Sequence, residues 1–399
     1  MIRRSIYLDP LLALLGTPQI KVITGMRRVG KSALMLQLLA QLRARGVAGR
    51  QICSIDKEDL AFDAMASYAD LAHYVDGYFA KAKAGKKYLL VDEVQDITEW
   101  EKAIRHYAKR KDLEVFVTGS NSTMLSSELS TYLAGRYVEI KVYPLCYREF
   151  LQFRPGGDFA EFSRMGGLPG VVTLPNELAR LSALEGILHT VLFKDVIGRY
   201  QVRNGALLAD VLKFISANIG CPTSTKKIAD YLKKERISLA FETVRDYLLH
   251  FEQANLIACV GWQDAIGKRS MDLNAKYYFT DIGVRNRLSG MRDEHRGQVL
   301  ENIVYNELLV RGYSISIVRV GAMEVDFMAE RVTAKDAEKI YIQVCYLLAS
   351  EDTVQREFKP LLAIPDAYPK MVLSMDTYWG GDHHGVRRLN LVEWLTGAD

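Results

Sequence analysis

No two of the five cysteines, Cys53, Cys146, Cys221, Cys259 and Cys345, form a CxxC pair. An odd, scattered set argues against a disulfide framework and against structural zinc, and for a reducing cytoplasm. No apolar run approaches the ~20 residues needed to cross a bilayer, so no membrane span is expected. Met1-Ile-Arg-Arg4 leads into Ser5-Ile-Tyr-Leu-Asp-Pro10, which interrupts any signal-peptide core. An excess of either charge is also lacking, since 52 Lys and Arg against 48 Asp and Glu leave +4. That balance permits nucleic-acid contact through a local patch without arguing for it. What the chain does have is length and apolar content. Its 399 residues, 49% hydrophobic and 25% charged, describe a folded protein of roughly two to four domains.

One stretch organises the rest. Ile20 to Ile23 reads as a buried strand, Gly25-Met-Arg-Arg-Val-Gly30-Lys31-Ser32 as a glycine loop, and Ala33 to Leu39 as a helix. Strand, GxxxxGK[ST] loop and helix, in that order, make a Walker A phosphate loop. Gly25 and Gly30 let the backbone curl so that its amides converge on phosphate oxygens, with Met26, Arg27, Arg28, Val29 and Ala33 completing the cradle. The helix start adds its positive end to the same anion site. Lys31 reaches the β- and γ-phosphates, and the Ser32 hydroxyl ligates Mg2+. The expected ligands are therefore ATP and Mg2+.

Apolar strands then alternate with amphipathic helices at 51–55, 88–92, 114–118 and 137–142, the pattern of a parallel sheet covered on both faces. The strand Leu89-Leu-Val-Asp92-Glu93 ends in two acids. At the C-terminal edge of such a sheet they lie beside the phosphate loop. Asp92 is expected to hold Mg2+ through water and Glu93 to polarise the attacking water. Thr118-Gly-Ser-Asn121 closes the next strand, and Asn121 is the candidate for orienting that water. Its alternative is an Asn in a tight turn after Gly119. Arg136 opens the last strand and suits the neutralisation of charge on a transferred phosphoryl group. A surface arginine at a helix end is the competing reading.

The glycine loop, Asp92-Glu93, Asn121 and Arg136 together resemble an AAA+ ATPase, with Asn121 similar to its sensor 1 residue. The resemblance implies that Arg136 acts across a subunit boundary in a homo-oligomer. Arg27-Arg28, Thr118-Gly-Ser-Asn121 and Tyr143-Pro-Leu145 narrow it to bacterial and archaeal AAA+ proteins with a winged helix and a C-terminal nuclease-like domain. It implies an α/β chain divided into an ATPase core (1–150), a helical lid (151–204), a winged helix (205–290) and a PD-(D/E)XK nuclease-like domain of restriction-endonuclease type (291–399).

The residues support that division. Asn176 to Tyr200 is an amphipathic helical stretch. Leu207 to Asn218 is apolar at helical spacing, and Ser224 caps a helix over 225–234. Ser238 caps a third, whose core face is Val244, Tyr247, Leu248 and Phe251. Strand-like runs at 256–260 and 276–280 flank a basic tip containing Lys268 and Arg269. Helix-turn-helix plus wing is a DNA-reading layout. Lys226, Lys227, Lys268 and Arg269 carry the phosphate contacts, with Arg245 on the third helix. Glu242 and Asp246 temper that helix's outer face, and a protein-contact module is the alternative.

Beyond residue 292, a helix with Glu301, a strand with Val325-Asp326 and a strand with Gln343-Val-Cys345 follow the order of the PD-(D/E)XK core. That chemistry uses two carboxylates to hold Mg2+ and a lysine beside the attacking hydroxide. Glu301 and Asp326 match. Gln343 and Cys345 stand where Glu-x-Lys is expected, and they supply neither negative nor positive charge. Lys339 is badly placed to replace the lysine. Three readings result: an ATPase working on DNA with an inactive nuclease-like domain, an ATP-gated protein switch, or an ATP-dependent nuclease. On the damaged third motif, the purified protein with ATP and Mg2+ or Mn2+ is expected to leave linear, nicked and branched DNA intact. Cleavage that disappears in Asp326→Ala would overturn this.

Overall fold

The computed structural model describes residues 2–121, 135–235, 240–264, 274–333, 336–377 and 381–397. The chain forms two compact units, residues 1–142 with 253–255, and residues 143–252 with 256–399.

In the first unit α1 (Ser5–Ala13) precedes β1 (Ile20–Thr24), α2 (Lys31–Ala44), β2 (Ile52–Asp56), α3 (Tyr68–Phe79), β3 (Lys87–Asp92), α4 (Trp100–Tyr107), β4 (Leu113–Gly119) and β5 (Tyr137–Lys141). The strands form one sheet in the order β2-β3-β4-β1-β5. All its pairings are parallel. Every residue of β1 and β4 is buried, as central strands covered on both faces must be. Val22, Ile55, Leu89, Val91 and Val115 pack with Leu71, Val75, Ile104 and Tyr107 of α3 and α4 in one apolar cluster. The α2 residues Leu34, Leu38 and Leu42 are buried too, and α2 runs against β3 and β4. Parallel pairing brings the C-terminal ends of β1, β3 and β4 to one edge. There the loop after Thr24 meets the acids after Val91.

Lys21 interrupts the apolar run of β1, fully buried. Its ammonium donates to Glu114 of β4 at 3.0 Å and to the Thr17 carbonyl at 2.9 Å. The Glu114 carboxylate also accepts from the Gly16 amide at 2.8 Å. Burial lowers the Lys21 pKa, and Glu114 opposes that shift.

The second unit begins with α5 (Tyr147–Phe153), α6 (Phe159–Met165), α7 (Pro169–Val172) and α8 (Glu177–Thr190), which runs on as a π-helix over Val191–Gly198. Three helices follow, α9 (Gly205–Ala217), α10 (Thr225–Lys234) and α11 (Phe241–Gln253). Ser224 caps α10 by accepting from the Lys227 amide at 3.1 Å. Val244, Tyr247, Leu248 and Phe251 are the buried face of α11. Ser238 lies outside the described residues. Next come β6 (Ile257–Val260), β7 (Trp262–Asp264), β8 (Lys276–Phe279) and α12 (Ile282–Ser289). β6 and β8 pair antiparallel as a two-stranded sheet.

The last stretch is α13 (Arg296–Val310), β9 (Ser314–Val320), β10 (Met323–Val332), β11 (Ala337–Val344), α14 (Glu351–Leu362), β12 (Lys370–Ser374), β13 (Asp382–His383), β14 (Val386–Asn390) and α15 (Leu391–Thr396). Its sheet runs β13-β14-β12-β11-β10-β9-β7. β9, β10 and β11 pair antiparallel, and β11 pairs parallel with β12.

Within the second unit, β7 and β8 link the stretch 205–290 to the stretch 291–399. β7 adds parallel to β9 at the edge of the C-terminal sheet. The Asn302 side chain of α13 clamps Phe279 of β8, accepting from its amide and donating to its carbonyl, each at 2.8 Å. Tyr278 stacks on Tyr305 with ring centroids 4.5 Å apart.

Removing Glu114 would leave the Lys21 ammonium buried beside a lone carbonyl. Glu114→Ala is expected to cost about 3–5 kcal/mol of stability, measured by denaturant unfolding. The Lys21→Met, Glu114→Leu double change should recover most of that loss.

Candidate functional site

The loop from Gly25 to Gly30 takes its shape from three left-handed residues. Gly25 has φ +144°, and a Cβ there would lie 2.2 Å from the Val142 carbonyl oxygen, so no other residue fits. Arg28 (φ 68°) and Gly30 (φ 99°) complete the curl. Gly30 caps α2, whose first residue is Lys31. The curled loop thus leads directly into the N-terminal end of α2, the arrangement that suits an anion. Met26 and Val29 are buried and anchor the loop from below.

The side chains around the loop form a connected set. The Lys31 ammonium lies 3.3 Å from a Glu93 carboxylate oxygen and 3.3 Å from the Met26 carbonyl. Ser32 hydrogen-bonds Asp92. The Thr118 hydroxyl donates to Asp92 and accepts from the Glu93 amide, the latter at 2.9 Å. Gln95 donates to the Glu93 carboxylate. Arg27 is buried and ion-paired with Glu58 at 3.0 Å. Glu93 is itself left-handed at φ 50°, a costly conformation for a non-glycine residue and one that concentrates at functional sites.

Electrostatics separates the two acids. Burial pushes the Asp92 carboxyl above its ordinary range, and the Ser32 and Thr118 hydroxyls pull it part of the way back. Burial acts the same way on Glu93, but Lys31, Gln95 and Arg27 outweigh it and hold that carboxyl below its ordinary range. Glu93 is therefore held as the carboxylate by its cationic neighbours, while Asp92 is held by two hydroxyls.

Gly25, Met26, Arg27, Arg28, Val29, Gly30, Lys31, Ser32, Ala33, Asp92 and Glu93 thus converge in the first unit. Asn121 follows β4 by two residues and is buried at the same edge. Arg136 is not there. It is exposed, and its carbonyl accepts from the Ile20 amide at the start of β1. Tyr137 is in register with Ile20 and Lys141 with Thr24, so Arg136 lies about 13–16 Å of strand from the phosphate loop. It cannot serve its own subunit's site.

In the second unit Lys226 and Lys227 are exposed in the first turn of α10, and Arg245 is exposed on α11, 3.8 Å from Asp246. Lys268 and Arg269 lie outside the described residues.

Two contributors escaped the sequence reading. Arg4 is buried and donates to the Val29 carbonyl at 2.9 Å, bracing the phosphate loop from α1. Nothing local separates it from Arg3. Thr118 bridges the two acids, and its place at the end of the strand that pairs with β3 was a signal available for it.

A family model described as an AAA domain matches residues 17–151, and one described as a domain of unknown function (DUF8612) matches residues 156–295. An uncharacterized protein of Haemophilus influenzae is 32% identical over 99% of this chain and 98% of its own length. The uncharacterized protein MJ1544 of Methanocaldococcus jannaschii is 29% identical over 86% of this chain and 77% of its own. Among solved structures, the Walker-type ATPase PABY2304 of Pyrococcus abyssi is similar at 16% identity, covering 72% of this chain and 96% of that one, with a TM-score of 0.48.

Variants of the Lys31–Glu93 pair test binding and hydrolysis separately. Lys31→Ala is expected to abolish binding of a fluorescent ATP analogue. Glu93→Gln should bind it at least as well as the parent, because Lys31 is freed, while phosphate release falls about 10²–10⁴-fold. Unchanged turnover in Glu93→Gln would remove Glu93 from the role of base.

Proposed function

Because the chain belongs to the family of its Haemophilus influenzae relative and carries an AAA domain over residues 17–151, we propose that it is an ATPase that works on DNA as a homo-oligomer. The observation that carries the ATPase part is the set Lys31, Ser32, Asp92, Glu93 and Thr118, joined by hydrogen bonds at one edge of a parallel sheet.

A triphosphate fits the loop, whose glycines expose backbone amides where Lys31 already lies. Mg2+ fits beside it, since Ser32 and Asp92 present a hydroxyl and a carboxylate side by side, and when bound it offsets phosphate charge. Lys31 rests on Glu93. A phosphate competes for that ammonium. As Lys31 turns toward the β- and γ-oxygens, Glu93 loses the largest influence that keeps its carboxyl low. The buried carboxylate then becomes more basic at the moment a water needs deprotonating. Thr118 keeps its backbone amide in place meanwhile, and Asn121 orients the water from the end of β4. Arg136, too far from its own loop, supplies its charge to a neighbouring subunit.

DNA contact is carried by the exposed Lys226 and Lys227 at the start of α10, with Arg245 and the basic tip containing Lys268 and Arg269. The mixed charge of α11, where Arg245 stands beside Asp246, favours contact with phosphates over reading of bases. The C-terminal domain serves as a binding scaffold, since Gln343 and Cys345 bring no charge to a reaction.

The test is the ATPase rate with and without duplex, single-stranded and branched DNA. Stimulation that falls when Lys226 and Lys227 become Ala, with a shallower salt dependence of binding by about one unit per lost contact, is the expected result. Identical rates with and without every DNA would favour an ATP-gated protein switch. Mixing Arg136→Ala with Lys31→Ala subunits should restore part of the hydrolysis, and a monomer with full activity would exclude the oligomer.

A further inference from the structure

The nuclease resemblance gives Glu301 and Asp326 a divalent metal, and the side chains here do not fit one. Both carboxylates are buried. Asp326 sits where β10 slips by one residue against β9 between Val325 and Met328, a bulge that re-aims the strand's side chains. The charge between the carboxylates is an ammonium from β8. Lys276 Nζ lies 2.8 Å from Glu301, 2.5 Å from Glu324 and 3.4 Å from Asp326. An ammonium has three donors and no acceptor, so these partners use all of them. Lys339 points elsewhere, 3.9 Å from both Glu330 and Asp366.

We infer that Lys276 is the resident cation of this cluster, standing where a metal would be and pinning β8 to the C-terminal sheet. Two further donors reach the carboxylates. Tyr278 donates to Glu301 at 2.6 Å, and the Val344 amide donates to Asp326 at 2.9 Å. A Cβ on Gly220 would lie 2.9 Å from Glu301, so backbone presses on the carboxylate from a further side. Gln343 accepts from the Asp326 amide and donates to Glu357. Mg2+ needs a near-octahedral shell with several waters at about 2.0–2.1 Å, and the Lys276 ammonium already holds the position between these carboxylates. Among the described residues, no three His, Cys, Asp or Glu side chains are disposed to hold a metal ion.

The ammonium answers a charge problem that the fold creates. Burial alone would lower the Lys276 pKa, yet the three carboxylates raise it. In return Lys276 pulls down Glu301, which burial still leaves at about 7. Whether or not the domain descends from a nuclease, these four side chains tie the β6–β8 sheet to α13 and β10.

The experiment uses the full chain without nucleotide, in Mn2+ and in chelator, followed by thermal unfolding. The parent and Asp326→Asn should respond equally to Mn2+. Lys276→Met should melt lower than the parent, because three buried carboxylates are left uncompensated. A Mn2+ response of the parent that Asp326→Asn removes would overturn the inference. So would a Lys276→Met protein that melts like the parent. If Lys276→Met does not fold, acetylation of the parent read by mass spectrometry decides instead. Lys276 should react at least about tenfold more slowly than exposed Lys226, because a paired, buried ammonium rarely deprotonates. Equal rates would overturn it.

Discussion

A buried ammonium must have a carboxylate beside it, because taking one ion out of water costs several kcal/mol even after relaxation. Three lysines are buried among the described residues, Lys21, Lys31 and Lys276, and each marks a point on which its surroundings depend. Lys21 joins β1 to β4 through Glu114, and Lys276 joins β8 to α13 and β10 through three acids. Lys31 has the same kinds of partner as Lys21, one carboxylate and one backbone carbonyl. Its carboxylate, however, is Glu93, the residue to which the proposed chemistry gives the role of base.

The Lys31–Glu93 pair sits on a rigid base. Parallel pairing of β1, β3 and β4 fixes where the loop and the acids end, and Gly25 closes against the Val142 carbonyl with no space for a side chain. Arg4 and the buried Met26 and Val29 hold the loop from beneath. The proposed exchange of Lys31 between Glu93 and a phosphate would then need side chains to move and not the backbone, which keeps its reorganisation cost low.

In the second unit, a charge cluster and the architecture of the fold belong together. Gln343 and Cys345 bring no charge, and Lys276 is the cation among Glu301, Glu324 and Asp326. β8, which carries that lysine, stays in its two-stranded sheet with β6 and is tied to α13 by Asn302 and Tyr278, while β7 joins the C-terminal sheet beside β9.

The sequence by itself determined the elements and the identity of the phosphate site. Ile20–Thr24, the glycine spacing and Lys31-Ser32 are contiguous, and Asp92-Glu93 closes a strand four apolar residues long, so period and order were enough. The helix over 225–234 and the buried face of α11 were legible for the same reason, since capping and helical spacing act within a dozen residues. What only the tertiary structure decided are pairings across long stretches of chain. Arg4 meets Val29, Thr118 bridges Asp92 and Glu93, and Lys276 meets Glu301, Glu324 and Asp326. Lysine 276 reads locally as an unremarkable polar residue opening a short strand. Its partners come from a helix and a bulged strand further along the chain, and no local pattern encodes that meeting. Arg136 shows the other side of this limit: its residue type and its place before β5 were legible, but its distance from its own loop follows from the register of β5 against β1.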